Sequence, residues 1–465
     1  MTRLAPAARL APAARVASDA LRREWHLPVL AAWAALWGAI LAPHGGIAWK
    51  FFVQGTDILF ATHGTPGAHR PGLHLYALYP QLQIGPAAYA VAEVLRQIGP
   101  DNGLVAAEVV MTAMGLLVIA MIQRIAVAAR PGLTGHAGAA GWPRPLRGYL
   151  LVAGAIFLIA WEELAVAFGH LDDCLAIGCA VAGVWAWVAL RGPVRARAAL
   201  AGTAIGLAAA AKPWAFVFLP VIFLPLMGLP VKALRVNPLR VGALPAVAVA
   251  AACVAAVTLA AWLPFFAGDP ATTNALHYQI ANMPNSALRA LGVHTSRTPS
   301  WDRAVQIVLG CALGLVAIVR RRWAAVILLG AGARIALDPG VHKYYTPEVM
   351  AGALLWELLG ERRAWPGWTV TAFLALDLAP VVIKDNAVLG DLRLGLVVAF
   401  TAAVLLGPAR WYWRPADPAG GPPTDRDQDG QQAGDQRQAG DQRRDGEKQQ
   451  DGDKQCGPAV PDVLG

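Results

Sequence analysis

The chain is poor in charged residues, which make up 15% of its 465 positions, whereas a typical soluble domain carries about 25%. Hydrophobic residues make up 56% of the chain, and its mean hydropathy is +0.46. This balance excludes a water-soluble globule, because so few charges cannot cover the surface of so apolar a chain.

Cysteines and soluble-enzyme motifs are also scarce. Four of the five cysteines lie in or beside apolar stretches, and none forms a CxxC or other metal-ligand spacing, so a disulfide framework is not expected. GxxxxGK[ST], GxSxG and HExxH are all missing. A pump that carries its own nucleotide-binding domain is thereby excluded.

Long apolar blocks are what the chain has instead, for example residues 150–160, 241–266 and 394–406. They do not alternate between apolar and polar residues, as the strands of a membrane barrel do. Since only helices and closed barrels satisfy the backbone in lipid, the blocks predict an all-α polytopic membrane protein. We expect about twelve transmembrane helices. The predicted spans are residues 27–43, 104–125, 150–168, 174–190, 198–211, 214–229, 241–266, 304–319, 323–337, 346–359, 368–383 and 389–406.

Short clusters of Arg and Lys separate the apolar blocks, and they account for the net charge of +9 without nucleic-acid binding. The positive-inside rule places the clusters 130–147 and 320–322, and both termini, in the cytoplasm of a plasma-membrane protein. The moderately apolar segment 81–98 is then interfacial or re-entrant, and the basic N-terminus precedes an uncleaved signal anchor. We predict a cytoplasmic segment 1–26, a helical membrane domain 27–409 and a disordered cytoplasmic tail 410–465, whose repetitive polar sequence cannot bury a core.

Polar residues concentrate on the predicted external side. Asp57 is the only carboxylate of a long first loop, residues 44–80. The other candidate binding residues are His74, Tyr76, Gln83, His170, Asp172, Asp173, Lys212, Arg334, His342, Lys343, Tyr344 and Tyr345. Ionisable groups at membrane depth usually have a partner and a role.

Structural roles compete with functional ones for these residues. Glu162 or Glu163 could pair with Lys212 and simply hold the bundle together. The sequence 170–173, with its imidazole and two carboxylates, could bind a divalent metal, or its carboxylates could cap a helix that begins at residue 174. Asp57 could pair locally, for example with Arg70.

The layout resembles the membrane-embedded class C glycosyltransferases that use polyprenyl-phosphate sugars, and above all the actinobacterial mannosyl- and arabinosyl-transferase-like families. The resemblance rests on an acidic residue in the first external loop, a Tyr79-Pro80 step before segment 81–98, the turn GHLDD, the run AGTAIGLAAAAKPWAFVFLP and the late segment RIALDPGVHKYY. Two departures are that Gln81 follows Pro80, where many such families read Tyr-Pro-Pro, and that the first loop has no acidic pair.

The resemblance implies transfer of a sugar from a polyprenyl-phosphate donor in the bilayer to a glycan or lipid acceptor at the external face. Asp57 would be the general base, and Lys212, Arg334, His342 and Lys343 would contact the leaving phosphate. A multi-pass transporter or a flippase of envelope lipids is the alternative function, although the chain shows no repeat of two similar halves.

Overall fold

A computed structural model describes residues 24–60, 72–99, 103–130, 144–227, 243–360 and 365–407. Within these ranges every regular element is a helix, and one isolated antiparallel bridge joins Ala281 and Arg297. The predicted all-α class is therefore confirmed. The predicted tail 410–465 and most of the predicted N-terminal segment 1–26 lie outside the described residues.

Eight helices of the described chain are long and apolar enough to cross a membrane. This identifies a helical membrane protein, as the apolar blocks predict. Their bounds, which include adjoining 3₁₀ or π-helical turns, are His26–His44, Leu104–Ala129, Arg147–Phe168, Leu171–Val188, Val194–Ala211, Leu244–Gly268, Asp302–Val319 and Asn386–Leu406. We label the α-helices of seven or more residues in chain order, whether or not they are among these eight: α1 (His26–Leu41), α2 (Trp49–Phe60), α3 (Pro86–Arg96), α4 (Leu104–Ala129), α5 (Arg144–Glu162), α6 (Leu171–Val188), α7 (Val194–Ala211), α8 (Leu244–Gly268), α9 (Asp302–Val319), α10 (Val326–Leu337), α11 (Thr346–Leu359), α12 (Gly367–Phe373) and α13 (Asn386–Leu406).

Four predicted spans coincide with shorter or irregular helices. They are the 3₁₀ helix Pro213–Met227, the segment Trp323–Leu337, helix α11 and the segment Gly367–Val382. Pro220 and Pro225 interrupt the first of these, and a π-helical turn, Leu374–Leu378, interrupts the last. The number of twelve spans therefore stays a prediction.

Close helix contacts in the bundle are made by small residues. A Cβ added to Gly202 on α7 would lie 2.2 Å from the carbonyl oxygen of Ala250 on α8. A Cβ added to Gly352 on α11 would lie 2.5 Å from the backbone of Leu328 on α10. Because lipid gives helices no hydrophobic reason to associate, such close approach supplies much of their packing energy.

One prediction about the polar segments is wrong. Residues 44–80 are not one loop, because α2 occupies Trp49–Phe60 and carries Asp57 near its end. The regular helix within segment 81–98 is only Pro86–Arg96, and it buries one face, including Tyr89, inside the bundle. Residues 267–302 form an ordered cap with two short helices, Thr273–Leu276 and Ala287–Ala290.

Candidate functional site

The turn between α5 and α6 contributes the first group of residues in the site. A π-helical extension of α5 ends at Gly169, which adopts the left-handed conformation with φ of 67° that glycine tolerates best. α6 then begins at Leu171, so Asp172 and Asp173 fall in its first turn rather than before it. The expected helix start at residue 174 is therefore wrong by three residues. Carboxylates in a first turn are favoured by the helix dipole, which lowers the cost of burying them.

Lys212 neutralises this carboxylate pair. It caps the end of α7, and its ammonium donates to Asp172 and lies 3.3 Å from Asp173 Oδ2. The indole of Trp214 donates to Asp173 Oδ1 at 2.9 Å. Burial opposes a charge on Lys212, but the two carboxylates outweigh it and raise the pKa of Lys212 above its ordinary value.

Arg334 links the Asp172–Asp173 pair to two further carboxylates, those of Asp338 and Glu348. Its Nη1 donates to Glu348 Oε2 at 2.7 Å and to Asp173 Oδ1 at 3.3 Å, and its Nε lies 3.6 Å from Asp338 Oδ2. The guanidinium also lies between two aromatic rings, 3.9 Å from the centroid of Trp214 and 4.0 Å from that of Tyr345. These contacts hold the guanidinium of Arg334 in one position.

Aromatic rings and imidazoles cover the same cluster. The ring centroids of His170 and Tyr344 are 4.0 Å apart, and His342 stacks on Tyr344 at 4.8 Å. Burial, together with nearby His170 and Arg334, lowers the pKa of His342 to about 4. His342 is therefore neutral near pH 7 and can accept or donate a hydrogen bond without adding charge.

A cavity of about 630 Å³ opens onto this cluster. One part of its wall is aromatic and apolar, with Phe51, Trp262 and Phe266. The cationic side chains on its wall are Lys212, Arg303 and Arg334, and the carboxylates are Asp302 and Asp338. The size and mixed wall are those of a site for a small-molecule ligand that carries both polar and apolar groups.

The structure brings most of the predicted binding residues together. Those that line the cavity are Tyr76, Gln83, His170, Lys212, Arg334, His342, Tyr344 and Tyr345. Asp172 and Asp173 lie directly behind the wall, where they contact Lys212. These ten residues come from distant parts of the chain and meet at one end of the bundle.

Three predicted residues lie elsewhere. The Asp57 carboxylate accepts from Arg96 at 2.8 Å and is not part of the cavity wall. His74 forms a hydrogen bond of 2.8 Å with Asp269 at the end of α8, which lowers the pKa of Asp269. Lys343 turns away from the cavity toward other carboxylates. Asp57 as the base stays a prediction, and the suggested partner Arg70 lies outside the described residues.

The expected pairing of Lys212 with Glu162 or Glu163 is wrong. Glu163 instead forms an ion pair with Lys343, whose Nζ lies 3.3 Å from Glu163 Oε1 and 3.4 Å from Asp377 Oδ1. Glu162 faces the other side of α5 and accepts from Thr112 at 2.6 Å. Neighbouring residues of a helix point about 100° apart, so Glu162 and Glu163 meet different helices, and the sequence does not indicate which helix each one meets.

Several residues of the site are missing from the predicted set. They are Trp214, Trp262, Asp302, Arg303, Asp338 and Glu348. Glu348 lies one turn beyond the Tyr344-Tyr345 pair in an apolar helix, and an isolated acid there is a signal that sequence analysis could have used. Asp302 and Arg303 lie just before a predicted span, where charged residues commonly mark the boundary of the membrane.

A metal at the turn 170–173 is compatible with the residue types. The ligand atoms of His170, Asp172 and Asp173 lie within 4.8 Å of one another. However, the Lys212 ammonium already lies against both carboxylates, and Arg334 donates to one of them. A metal ion would have to displace Lys212, so the residues do not fit a resident metal here.

Comparisons of the chain with protein-family models, with curated proteins and with solved structures found no match. The class that the fold defines is a helical membrane protein with a polar cavity at one end of its bundle, and any function has to be argued from that cavity.

Proposed function

We propose that this protein transfers a sugar from a lipid-phosphate donor to a hydroxyl acceptor inside the cavity at the end of the bundle. The observation that carries the proposal is the make-up of the cavity wall, which joins an apolar aromatic surface to Lys212 and Arg334. An amphiphile with a single anionic head requires this combination, because its chain prefers apolar contacts and its phosphate prefers cations.

Lys212 is the phosphate contact that we favour. Its ammonium is only partly buried, with 15% of the side chain exposed, whereas Arg334 is 4% exposed and held by two carboxylates and two rings. A preorganised cation stabilises negative charge as it develops on the departing phosphate. Arg334 therefore positions Asp173, and Asp173 in turn fixes Lys212.

Transfer also requires a base. The acceptor oxygen attacks the anomeric carbon, the bond from that carbon to the phosphate oxygen breaks with its electron pair, and the acceptor proton passes to a carboxylate. Asp338 suits this role, because it lines the cavity and its Oδ1 accepts from the backbone N–H of Gly340 at 2.7 Å. Burial raises the pKa of Asp338, which makes it a stronger base than an exposed carboxylate.

Asp57 is the rival base that the family resemblance implies. It lies in α2 with 39% of its side chain exposed, and Arg96 neutralises it. For Asp57 to act, an acceptor would have to reach beyond the cavity wall described above. The two assignments make opposite predictions for one pair of variants.

The test uses purified protein in detergent with a polyprenyl-phosphate sugar and the release of lipid phosphate as the readout. We expect Asp338→Asn to lower the rate by at least about 100-fold with the donor still bound, as loss of a general base does. Asp57→Asn should keep most of the activity. Activity lost in Asp57→Asn and retained in Asp338→Asn would reverse the assignment.

Lys212→Gln should weaken both donor binding and turnover, and Lys212→Arg should recover part of each. If the protein releases no lipid phosphate from mannosyl, arabinosyl or glucosyl donors, yet moves a labelled donor across proteoliposomes, then the cavity serves a flippase and the transferase proposal is wrong.

A further inference from the structure

Two buried carboxylates near the end of α1 have no role in the cavity. Glu108 lies in α4 and is 9% exposed, and Glu162 ends α5 and is 0% exposed. The Oε1 atoms of both residues are buried without a hydrogen-bond partner. Within the described residues, no Lys, Arg or His forms an ion pair with either carboxylate, and the Thr112 hydroxyl is the side-chain donor that reaches Glu162. Two such groups at membrane depth have to be neutralised, either by protons or by a bound cation.

Further oxygens lie near these carboxylates, at two points near the end of α1. The position that a Cβ would occupy at Gly45 lies 2.7 Å from the Val166 carbonyl oxygen, 2.9 Å from Glu108 Oε1 and 3.4 Å from the Ala42 carbonyl oxygen. Glycine at this position leaves that point free of side-chain atoms. The equivalent point at Gly38, two turns earlier, lies 3.4 Å from Glu162 Oε2 and 3.9 Å from the Thr112 hydroxyl oxygen.

The surrounding backbone also favours a cation. α1 ends at Leu41, so the negative end of its dipole and its last carbonyl groups point toward these carboxylates. Val166 belongs to the π-helical turn that follows Glu162, and its carbonyl oxygen is turned toward residues 45 and 46. The carbonyl oxygens of Ala42 and Val166 each accept one backbone N–H, from Gly45 and Gly46, and each keeps a second lone pair for a cation.

We propose that Glu108 and Glu162, with the Thr112 hydroxyl and the carbonyl oxygens of Ala42 and Val166, form a Ca²⁺ site between α1, α4 and α5. Two carboxylates balance the charge of a divalent ion. Ca²⁺ accepts carboxylate, hydroxyl and carbonyl oxygens in flexible geometry, whereas Mg²⁺ retains several waters, for which a site closed around a fully buried Glu162 has little room.

The site is connected to the cavity by backbone hydrogen bonds. The N–H of Gly46 donates to the Val166 carbonyl at 2.8 Å, and the N–H of Ala48 donates to the Phe168 carbonyl at 2.8 Å. Ala48 lines the cavity, and Phe168 leads to His170 on its wall. A bound cation would thus hold two segments that form part of the cavity wall.

The test uses full-length protein in detergent, stripped with a chelator and then supplied with CaCl₂, MgCl₂ or choline chloride. Thermal unfolding by tryptophan fluorescence and equilibrium dialysis with ⁴⁵Ca²⁺ are the readouts. We expect one Ca²⁺ per chain, and a rise in melting temperature of about 3–5 °C at saturating CaCl₂. MgCl₂ and choline chloride should have little effect.

Glu108→Gln and Glu162→Gln should each abolish the Ca²⁺-dependent shift and the bound ⁴⁵Ca²⁺. Without Ca²⁺ they should be at least as stable as the parent protein, because each removes an uncompensated charge. This second readout keeps the test informative, since a variant that merely misfolds would be less stable in every condition. Glu163→Gln is the matched control, because Glu163 is the next residue along the chain but pairs with Lys343, so its Ca²⁺ response should be unchanged.

Two results would overturn the proposal. Ca²⁺ binding that persists in both variants and is lost in His170→Ala would place the ion at the turn 170–173. A parent protein whose stability responds to pH but not to any cation would show that Glu108 and Glu162 are neutralised by protons alone.

Discussion

Arg334 is the residue whose loss should disturb the site most, and the structure allows the cost to be worked out. Arg334 is 4% exposed, and it donates to Glu348 at 2.7 Å and to Asp173 at 3.3 Å, both of which are 1% exposed. Arg334→Met keeps the length and apolar stem of the side chain but removes the charge. In this variant Asp173 still has its contacts with Lys212 and Trp214, whereas Glu348 has no other ion-pair partner among the described residues.

Breaking a buried ion pair on one side costs about 3–5 kcal/mol, because the remaining charge stays buried without compensation. We therefore expect Arg334→Met to lower the free energy of unfolding by about that amount. Arg334→Met combined with Glu348→Met should recover most of the loss, since a buried pair can often be replaced by apolar residues at little cost. The difference between the double variant and the sum of the single ones should be about 2–3 kcal/mol.

The assay is reversible unfolding in mixed micelles of increasing SDS fraction, followed by tryptophan fluorescence. Arg124→Met is the matched control, because the side chains of its pair with Glu24 are 62% and 27% exposed, and such a pair should contribute at most about 1 kcal/mol. A loss below 1 kcal/mol for Arg334→Met, or single variants whose effects simply add, would refute the account of the cluster as a coupled buried network.

Three further predictions concern packing, pH and topology. Gly202→Ala should destabilise the protein by about 1–3 kcal/mol in the same unfolding assay, because its Cβ would meet the Ala250 carbonyl, whereas Gly395→Ala meets nothing within 4 Å and should be neutral or stabilising. The pKa of His342 is about 4 in the fold, below the ordinary value of about 6.5, so the unfolded chain binds the proton first. Stability should consequently fall as the pH drops from about 6.5 toward 4, and His342→Gln should flatten that part of the stability profile. Cysteines placed at positions 320–322 should react with an impermeant reagent only from the cytoplasmic side, and labelling from outside would reverse the predicted topology.

The sequence predicts the membrane helices well because their signal is local. An apolar block and its basic flanks are properties of neighbouring residues, and the predicted span 346–359 matches the bounds of α11. Helix starts are less well predicted where polar residues are tolerated inside the helix. Asp172 and Asp173 look like residues before a helix, but the Lys212 ammonium allows them to be buried within its first turn.

Partners of the buried charges could not be predicted, because they depend on which helices become neighbours. Glu162 and Glu163 are adjacent in the sequence, yet Glu162 accepts from Thr112 and Glu163 pairs with Lys343. Successive side chains of a helix point about 100° apart, so the sequence predicts that the two carboxylates diverge but not which neighbouring helix each one meets. Asp57 was singled out for its isolation in the sequence, whereas its partner Arg96 comes from α3.

The position of the site follows from helices that are too short to cross the bilayer alone. α10 has 12 residues and α11 has 14, so at about 1.5 Å per residue each covers only about 20 Å of a hydrocarbon core of about 30 Å. We therefore expect the turn that joins them to lie below the membrane surface, and this turn carries Asp338, His342 and Tyr345. Non-helical backbone at that depth is tolerated only where it is buried in protein or lines a polar cavity. The buried ion pairs belong to the same arrangement, because Asp173 and Glu348 compensate the charge of Arg334 one turn before this connection, and the connection itself supplies Asp338, His342 and Tyr345 to the cavity wall.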